Sequence, residues 1–425
     1  MLNRDIALQR SRIIKRKTDP GQYYLFLVWP FLTILLAIRN FRTHWAMNVF
    51  WLYSIYFGFT FVIISAEVDA SDYAAQLVSF AHSDISLSKL FSGYLSEDGN
   101  LDIVQALLTY IVSFFTDDYR YLFAIFGLFM GYFISRYVWM IIKKINIRMD
   151  FFAGLLLISY ALVIGIWDIG GVRWSVAAAM FFFSILNYFE SDNKNFLWIT
   201  LSTIFVHWSF TLALIVLLVY FIFGNRTRMY FLLFVFSFII SEIDLDIVRD
   251  YFGNYAPTVV QETRGSYLNQ GYVDLISNAW QDNSWYLIYH LQLLKWFILL
   301  SVSYIYISMR RKETLSHTLY NRLFNLGLLF YGTFNILSTI PSVFRFLNIG
   351  YLIFLSTFIL YITSLKNKFP LWLKIVGIPV LLLYIVVRIR IGFDYIGVWS
   401  VIGNPILAFF VENDLPLIDL VKSLL

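Results

Sequence analysis

The sequence contains no cysteine. That excludes disulfides, thiolate metal sites and thiol chemistry. Charge is also scarce: Asp, Glu, Lys and Arg make up 14% of the 425 residues, against about a quarter in an ordinary soluble domain. With 60% hydrophobic residues and a mean hydropathy of +0.70, the chain cannot cover a soluble surface. There is no fixed-period repeat, low-complexity tract or Gly/Ser linker, so a single transmembrane domain over residues 1–425 is the simplest division. No HExxH, Walker A or dinucleotide motif appears, and we expect neither a bound metal nor a cofactor.

What is present is a series of apolar runs, from 23–38 to 371–387. They predict an all-α polytopic membrane protein of about 11–12 transmembrane segments. The first run contains Pro30 and lacks a small-residue cleavage signature, so it reads as retained, and as shallow or re-entrant. The 28 residues of 196–223 have no charged break. Two short segments meeting near His207 preserve the charge pattern that follows. Residues 103–115 predict an amphipathic helix lying on the outer surface.

Lysine is scarce on one side of this pattern. Lys143, Lys144, Lys194, Lys312, Lys366 and Lys368 gather in short loops that read as cytoplasmic. Residues 67–118 and 242–284 then read as external, the second being the larger periplasmic loop, and so does 388–425. Their cations are almost all arginine: Arg120, Arg173, Arg249, Arg264, Arg345, Arg388 and Arg390, against Lys89 and Lys422. Guanidinium is a planar fork that grips phosphate bidentately, so a phosphate-bearing ligand is expected at the outer face. The net charge of +5 follows from the basic inner loops, and no nucleic acid is expected.

Three places could supply the chemistry. Gly170-Gly171-Val172-Arg173 predicts a helix start whose free N–H groups and arginine face a phosphate; Asp168 beside it could pair with Arg173. Ile340 to Arg345 repeats the pattern, with Pro341 and a capping Ser342. His207 is placed as the only core histidine near the outer face, in the pKa range that suits proton transfer. Asp69, Asp72 and Tyr73 open the first external segment, and either carboxylate could accept a hydroxyl proton. Arg388 and Arg390 end the last long run; snorkelling to headgroups is the plainer explanation of each.

Gly171-Val172-Arg173-Trp174-Ser175-Val176-Ala177, followed by an apolar run and His207-Trp208-Ser209, resembles the R-x-x-x-A…H-x-S core of the EpsG and Wzy-type polysaccharide polymerases. Asp69 to Tyr73, Pro341 to Arg345 and Gly403 to Ile406 resemble further features of that family. The segment before Asp72 lacks the family's glycine-threonine. The resemblance implies a metal-independent glycosyltransferase of the bacterial inner membrane, with a lipid-carrier (GT-C-type) fold and a periplasmic active site. Donor and acceptor would be glycans on undecaprenyl diphosphate, and a flippase and a chain-length regulator would be pathway partners. On that reading Arg173, His207 and Asp72 are catalytic, while Arg345, Arg264, Arg388, Arg390 and Tyr73 bind substrate. An O-antigen ligase, a lipid-linked oligosaccharide flippase and an acyltransferase stand as alternatives.

Overall fold

A computed structural model describes residues 21–64, 69–83, 102–145, 149–240, 284–311, 318–338, 340, 342–363, 365, 367–411 and 415–423. The fold is all-helical, with only two isolated β-bridges among these residues. Five stretches are long and apolar enough to cross a membrane: Tyr119–Lys144, Phe151–Ser191, Trp285–Met309, Val343–Thr363 and Leu371–Tyr395. Shorter apolar helices stand between them.

The first apolar run is broken. α1 (Gly21–Val28) stops at Trp29, and Pro30 opens α2 (Pro30–Arg39); proline has no N–H to give and suits a first helical position. At 8 and 10 residues, neither spans a bilayer alone. α3 (His44–Phe59) then packs antiparallel on a later helix, Tyr119–Lys144. Next come α4 (Asp69–Ala81) and α5 (Ile103–Ser113). α5 buries Gln105, Thr109 and Tyr110, and Gln105 Nε2 donates to Gln76 of α4. It packs into the protein through this side and leaves Ile111 and Phe114 exposed.

α6 (Tyr119–Lys144) starts on an Asp118 cap and is about 39 Å long. Glycine brings α3 and α6 together. A Cβ on Gly127 would lie 2.2 Å from the Ser54 carbonyl oxygen, and one on Gly58 2.1 Å from that of Phe123. Such small residues let helix backbones approach in an apolar medium, where burial alone gives little drive. α7 (Phe151–Ala161) leads through a 3₁₀ turn, Ile166–Gly171, into α8 (Val172–Ser191). α9 (Asn195–Val206) returns along α8, and α10 (Phe210–Phe223) reverses again. The reversal sits at His207, whose backbone is extended, as the charge pattern had required.

α11 (Thr227–Ile240), α12 (Trp285–Arg311) and α13 (Thr318–Leu337) precede a second 3₁₀ turn, Val343–Phe346, and α14 (Leu347–Thr363). α14 is buried continuously from Ile349 to Thr363, which suits a helix apolar all round. α15 (Leu371–Tyr395), α16 (Val398–Ile402), α17 (Pro405–Ala408) and α18 (Leu417–Ser423) complete the chain. The outward faces of α10, α11 and α15 expose Leu218, Ile222, Phe236, Ile375 and Val386. An apolar surface of that extent requires lipid.

Contacts sort the two ends. Lys144 pairs with Glu190, Lys374 with Asp150 and Arg322 with Asp192. Tyr220, near the Gly224 turn, packs against Phe189, and Tyr304 reaches the Lys368 carbonyl. The basic hairpins thus share one end, and Arg173, His207 and Arg388 lie at the other.

Candidate active site

Four separate segments meet at the end away from the basic hairpins. α4 places Asp69 and Tyr73 one turn apart, so both point the same way. α8 begins at Val172 and carries Arg173 in its first turn. The α9–α10 reversal supplies His207. The residue that joins them is Asp102, immediately before α5, with 5% of its side chain exposed.

Asp102 occupies an N-cap position but does not cap its own helix. Its Oδ1 accepts the Trp208 backbone N–H at 2.8 Å. Its Oδ2 lies 2.8 Å from His207 Nδ1 and accepts from Arg173 Nη1 at 3.3 Å. Arg173 Nε donates to the Tyr73 hydroxyl at 2.8 Å, and Nη2 lies 3.6 Å from Asp69. Tyr73 is fixed from behind by an edge-on contact with Phe126 of α6. Arg173 is thus an ordered group with N–H donors left on both terminal nitrogens, and acids already stand beside it.

Burial pushes Asp102 up, but the hydrogen bonds from His207 and Trp208 and the nearby charge of Arg173 outweigh it, so the carboxyl is held below its ordinary range. It is an anion at neutral pH. Burial also pushes the Tyr73 phenol well above its usual range, against the smaller pull of Arg173. Tyr73 therefore stays protonated and serves as a hydrogen-bonding strut, not as a base. Two buried polar atoms beside the cluster, Trp174 Nε1 and Ser209 Oγ, have no partner among the described residues. Trp208 is exposed next to them.

The other expected residues fall in different places. Asp72 is exposed and forms no ion pair with a described residue; its neighbour Asp69 faces Arg173. Asp168 does not pair with Arg173. It binds Arg388 Nη2 at 2.5 Å, while Arg388 also donates to the Leu162 and Val163 carbonyls. Arg390 pairs with Asp394 on its own helix. Arg388 and Arg390 thus hold protein groups. Arg345 is exposed on the second 3₁₀ turn, whose Phe346 packs on Trp174 and Phe210, so it stands at the same end as Arg173. Ser342 has φ 70° and makes no cap, so the helix start there is not the capped one expected. Pro341 and Arg264 lie outside the described residues. His207 is not the only core histidine at this end: His290 is buried, bonds the Tyr286 carbonyl and stacks on Tyr384.

Asp102 is the residue that sequence reasoning missed. Its one local signal is an acid just before an amphipathic helix, an ordinary N-cap. Its partners are 71 and 105 positions away.

The model of the EpsG family matches residues 49–399. The chain belongs to the EpsG family. The match runs from α3 into α16 and contains the whole Asp69–Tyr73–Asp102–Arg173–His207 cluster. No curated protein and no solved structure matches the chain. Family membership indicates a polysaccharide polymerase type of function in a membrane-embedded protein.

Proposed function

We infer that this EpsG-family protein polymerises lipid-linked oligosaccharide repeat units, with the Asp102–His207 pair as the proton acceptor. The observation that supports this most directly is the single buried carboxylate bound at once to His207 Nδ1 and Arg173 Nη1. An anionic Asp102 makes Nδ1 the protonated nitrogen, which leaves Nε2 with a lone pair. Nε2 then takes the proton from an acceptor sugar hydroxyl. The hydroxyl oxygen bonds to the anomeric carbon of the donor, and the bond from that carbon to the diphosphate oxygen breaks. The electron pair leaves with undecaprenyl diphosphate. The remaining N–H groups of Arg173, with Arg345, meet the charge that develops there. Trp208 offers an exposed face for sugar stacking.

This proposal takes the cluster to face the periplasm of a bacterial inner membrane and the scaffold to be a GT-C-type lipid-carrier enzyme. The absence of native cysteine gives a direct test of orientation. Asp72→Cys should react with an impermeant maleimide in intact spheroplasts, and Lys194→Cys only after permeabilisation; the reverse pattern overturns the reading. For the chemistry, Arg173→Ala should abolish the glycan ladder while single repeats persist, with Arg173→Lys restoring a minor part because the fork is lost. An unchanged ladder removes Arg173 from the mechanism. Loss of all surface glycan, single repeats included, favours a ligase.

A further inference from the structure

The helices that carry Arg173 and His207 do not reach the same height. α8 has 20 residues, about 30 Å, which matches the hydrocarbon core of a bilayer. Its last turn carries Glu190, paired with Lys144 at the basic-hairpin end. α9 and α10 have 12 and 14 residues, about 18 and 21 Å. Both are bounded by described turns, at Lys194 and Gly224 on the basic-hairpin side and at His207 to Ser209 on the other.

A buried hydrogen bond fixes the register of α9 on α8. Thr200 Oγ1 donates to Ser184 Oγ at 2.8 Å. From that level α8 runs on to Val172, but α9 only to Val206. The reversal therefore stops about 9 Å below the start of α8. The aromatic packing agrees. Phe210, the first residue of α10, lies 6.5 Å from the Trp174 ring and 5.8 Å from that of Phe181, two turns further down α8.

This step is apolar. No Asp, Glu, Lys or Arg stands between Lys194 and Arg226. Turns in water gather Gly, Pro, Asn, Asp and Ser; here Phe205 and Leu212, on either side of the reversal, are 56% and 38% exposed. Such a turn is suited to acyl-chain depth, below the headgroups of its leaflet. Arg173 stands at the top of the step, where the hydrocarbon ends. Asp102 bridges the drop, holding Arg173 above and His207 below.

We propose that this step is a lateral entrance for the isoprenoid chain of the donor, on the reading that the protein polymerises lipid-linked repeats. The chain lies over Phe205 and Leu212. The diphosphate is drawn into the step, below the plane of the neighbouring phosphates, and meets Arg173 there. The anomeric carbon then comes level with His207. Continuity with Arg173 selects the substrate's own chain over an ordinary phospholipid.

Depth and occupant are tested separately on the full-length protein. In the cysteine-free chain, Phe205→Cys and Leu212→Cys are labelled with nitrobenzoxadiazole after reconstitution. Nitroxide on the lipid acyl chains should quench both labels more than nitroxide on the headgroups, and aqueous iodide should quench neither. The same label on Asp72→Cys should answer to iodide. Iodide quenching at Phe205→Cys and Leu212→Cys equal to that at Asp72→Cys overturns the recess, whatever the protein's activity. Occupancy is read by native mass spectrometry from phosphatidylglycerol nanodiscs with added undecaprenyl diphosphate. Wild type should retain undecaprenyl diphosphate in preference to phosphatidylglycerol. The double variant Phe205→Gln, Leu212→Gln should lose about tenfold of that preference. The matched variant Leu218→Gln, Ile222→Gln, exposed at the basic-hairpin end of α10, should keep it. Thermal unfolding checks that both are folded. Equal loss in the two variants overturns the entrance and leaves the polymerase reading standing. No preference in wild type removes the polyprenyl substrate, and the entrance with it.

Discussion

Replacing Asp102 by asparagine tests the centre of this structure, because the shape is kept and the charge is removed. The Trp208 N–H can still donate to the amide oxygen. The amide NH₂ then takes the place of Oδ2 and meets His207 Nδ1–H and Arg173 Nη1–H, donor against donors. Two charged hydrogen bonds at 2.8 and 3.3 Å would bound the loss near 3–5 kcal/mol for a fully buried pair. Arg173 keeps Tyr73 and Asp69 and is about one-fifth exposed, so about 2–3 kcal/mol of stability is expected. The catalytic loss is separate. Without the carboxylate, Nδ1 no longer holds the proton by preference, and a positioned base contributes roughly 10²–10⁴ in rate. The fall should appear in kcat more than in KM.

The assay is conversion of purified lipid-linked single repeats to oligomers by reconstituted protein, with thermal unfolding in parallel. A folded Asp102→Asn protein with a kcat close to wild type refutes the dyad. Acid gives an independent check. Because Asp102 titrates below its ordinary range, its stabilising contribution is fully present above about pH 3.9 and is lost as pH falls through the lower folded value. The difference in unfolding temperature between wild type and Asp102→Asn should therefore shrink only below about pH 4.

Three further outcomes follow from the packing. Asp69→Asn should lower activity partially and stability by less than about 1 kcal/mol, since its 3.6 Å pair with Arg173 is half exposed, while Asp72→Asn should leave both unchanged in the same assays. Arg388→Met should cost about 3–5 kcal/mol and reduce the yield of folded protein, because Asp168 loses its cation; an unchanged unfolding temperature would contradict a structural role. Gly127→Ala should destabilise by more than about 2 kcal/mol through the clash with Ser54, whereas Gly154→Ala, with no neighbour within 4 Å of the new Cβ, should stabilise α7 by up to about 1 kcal/mol.

Much of the scaffold was legible along the chain. Apolar runs and sparse charge required helices in lipid, since only helices and closed barrels satisfy the backbone there. The reversal at His207 was legible because a single helix over 196–223 would have put the Arg226–Arg228 hairpin at the wrong end. The block that carries Arg173 and His207 was legible as a motif. The choice between Asp69 and Asp72 was not, although they stand three residues apart. Asp69 shares a face with the buried Tyr73 and Asp72 does not, and which face of α4 turns inward depends on Phe126 of another helix.

The sequence by itself determined the helical class, the sorting of lysine from arginine and the positions where the chain turns, because these depend on local composition and on the solvent. Tertiary structure alone decided which acid meets which base. Asp102 joins α5 to α8 and to the α9–α10 turn, and Asp168 goes to Arg388 instead of to Arg173, five residues away. Ion pairs form between groups that packing brings within a few ångströms, and separation along the chain carries no information about that distance.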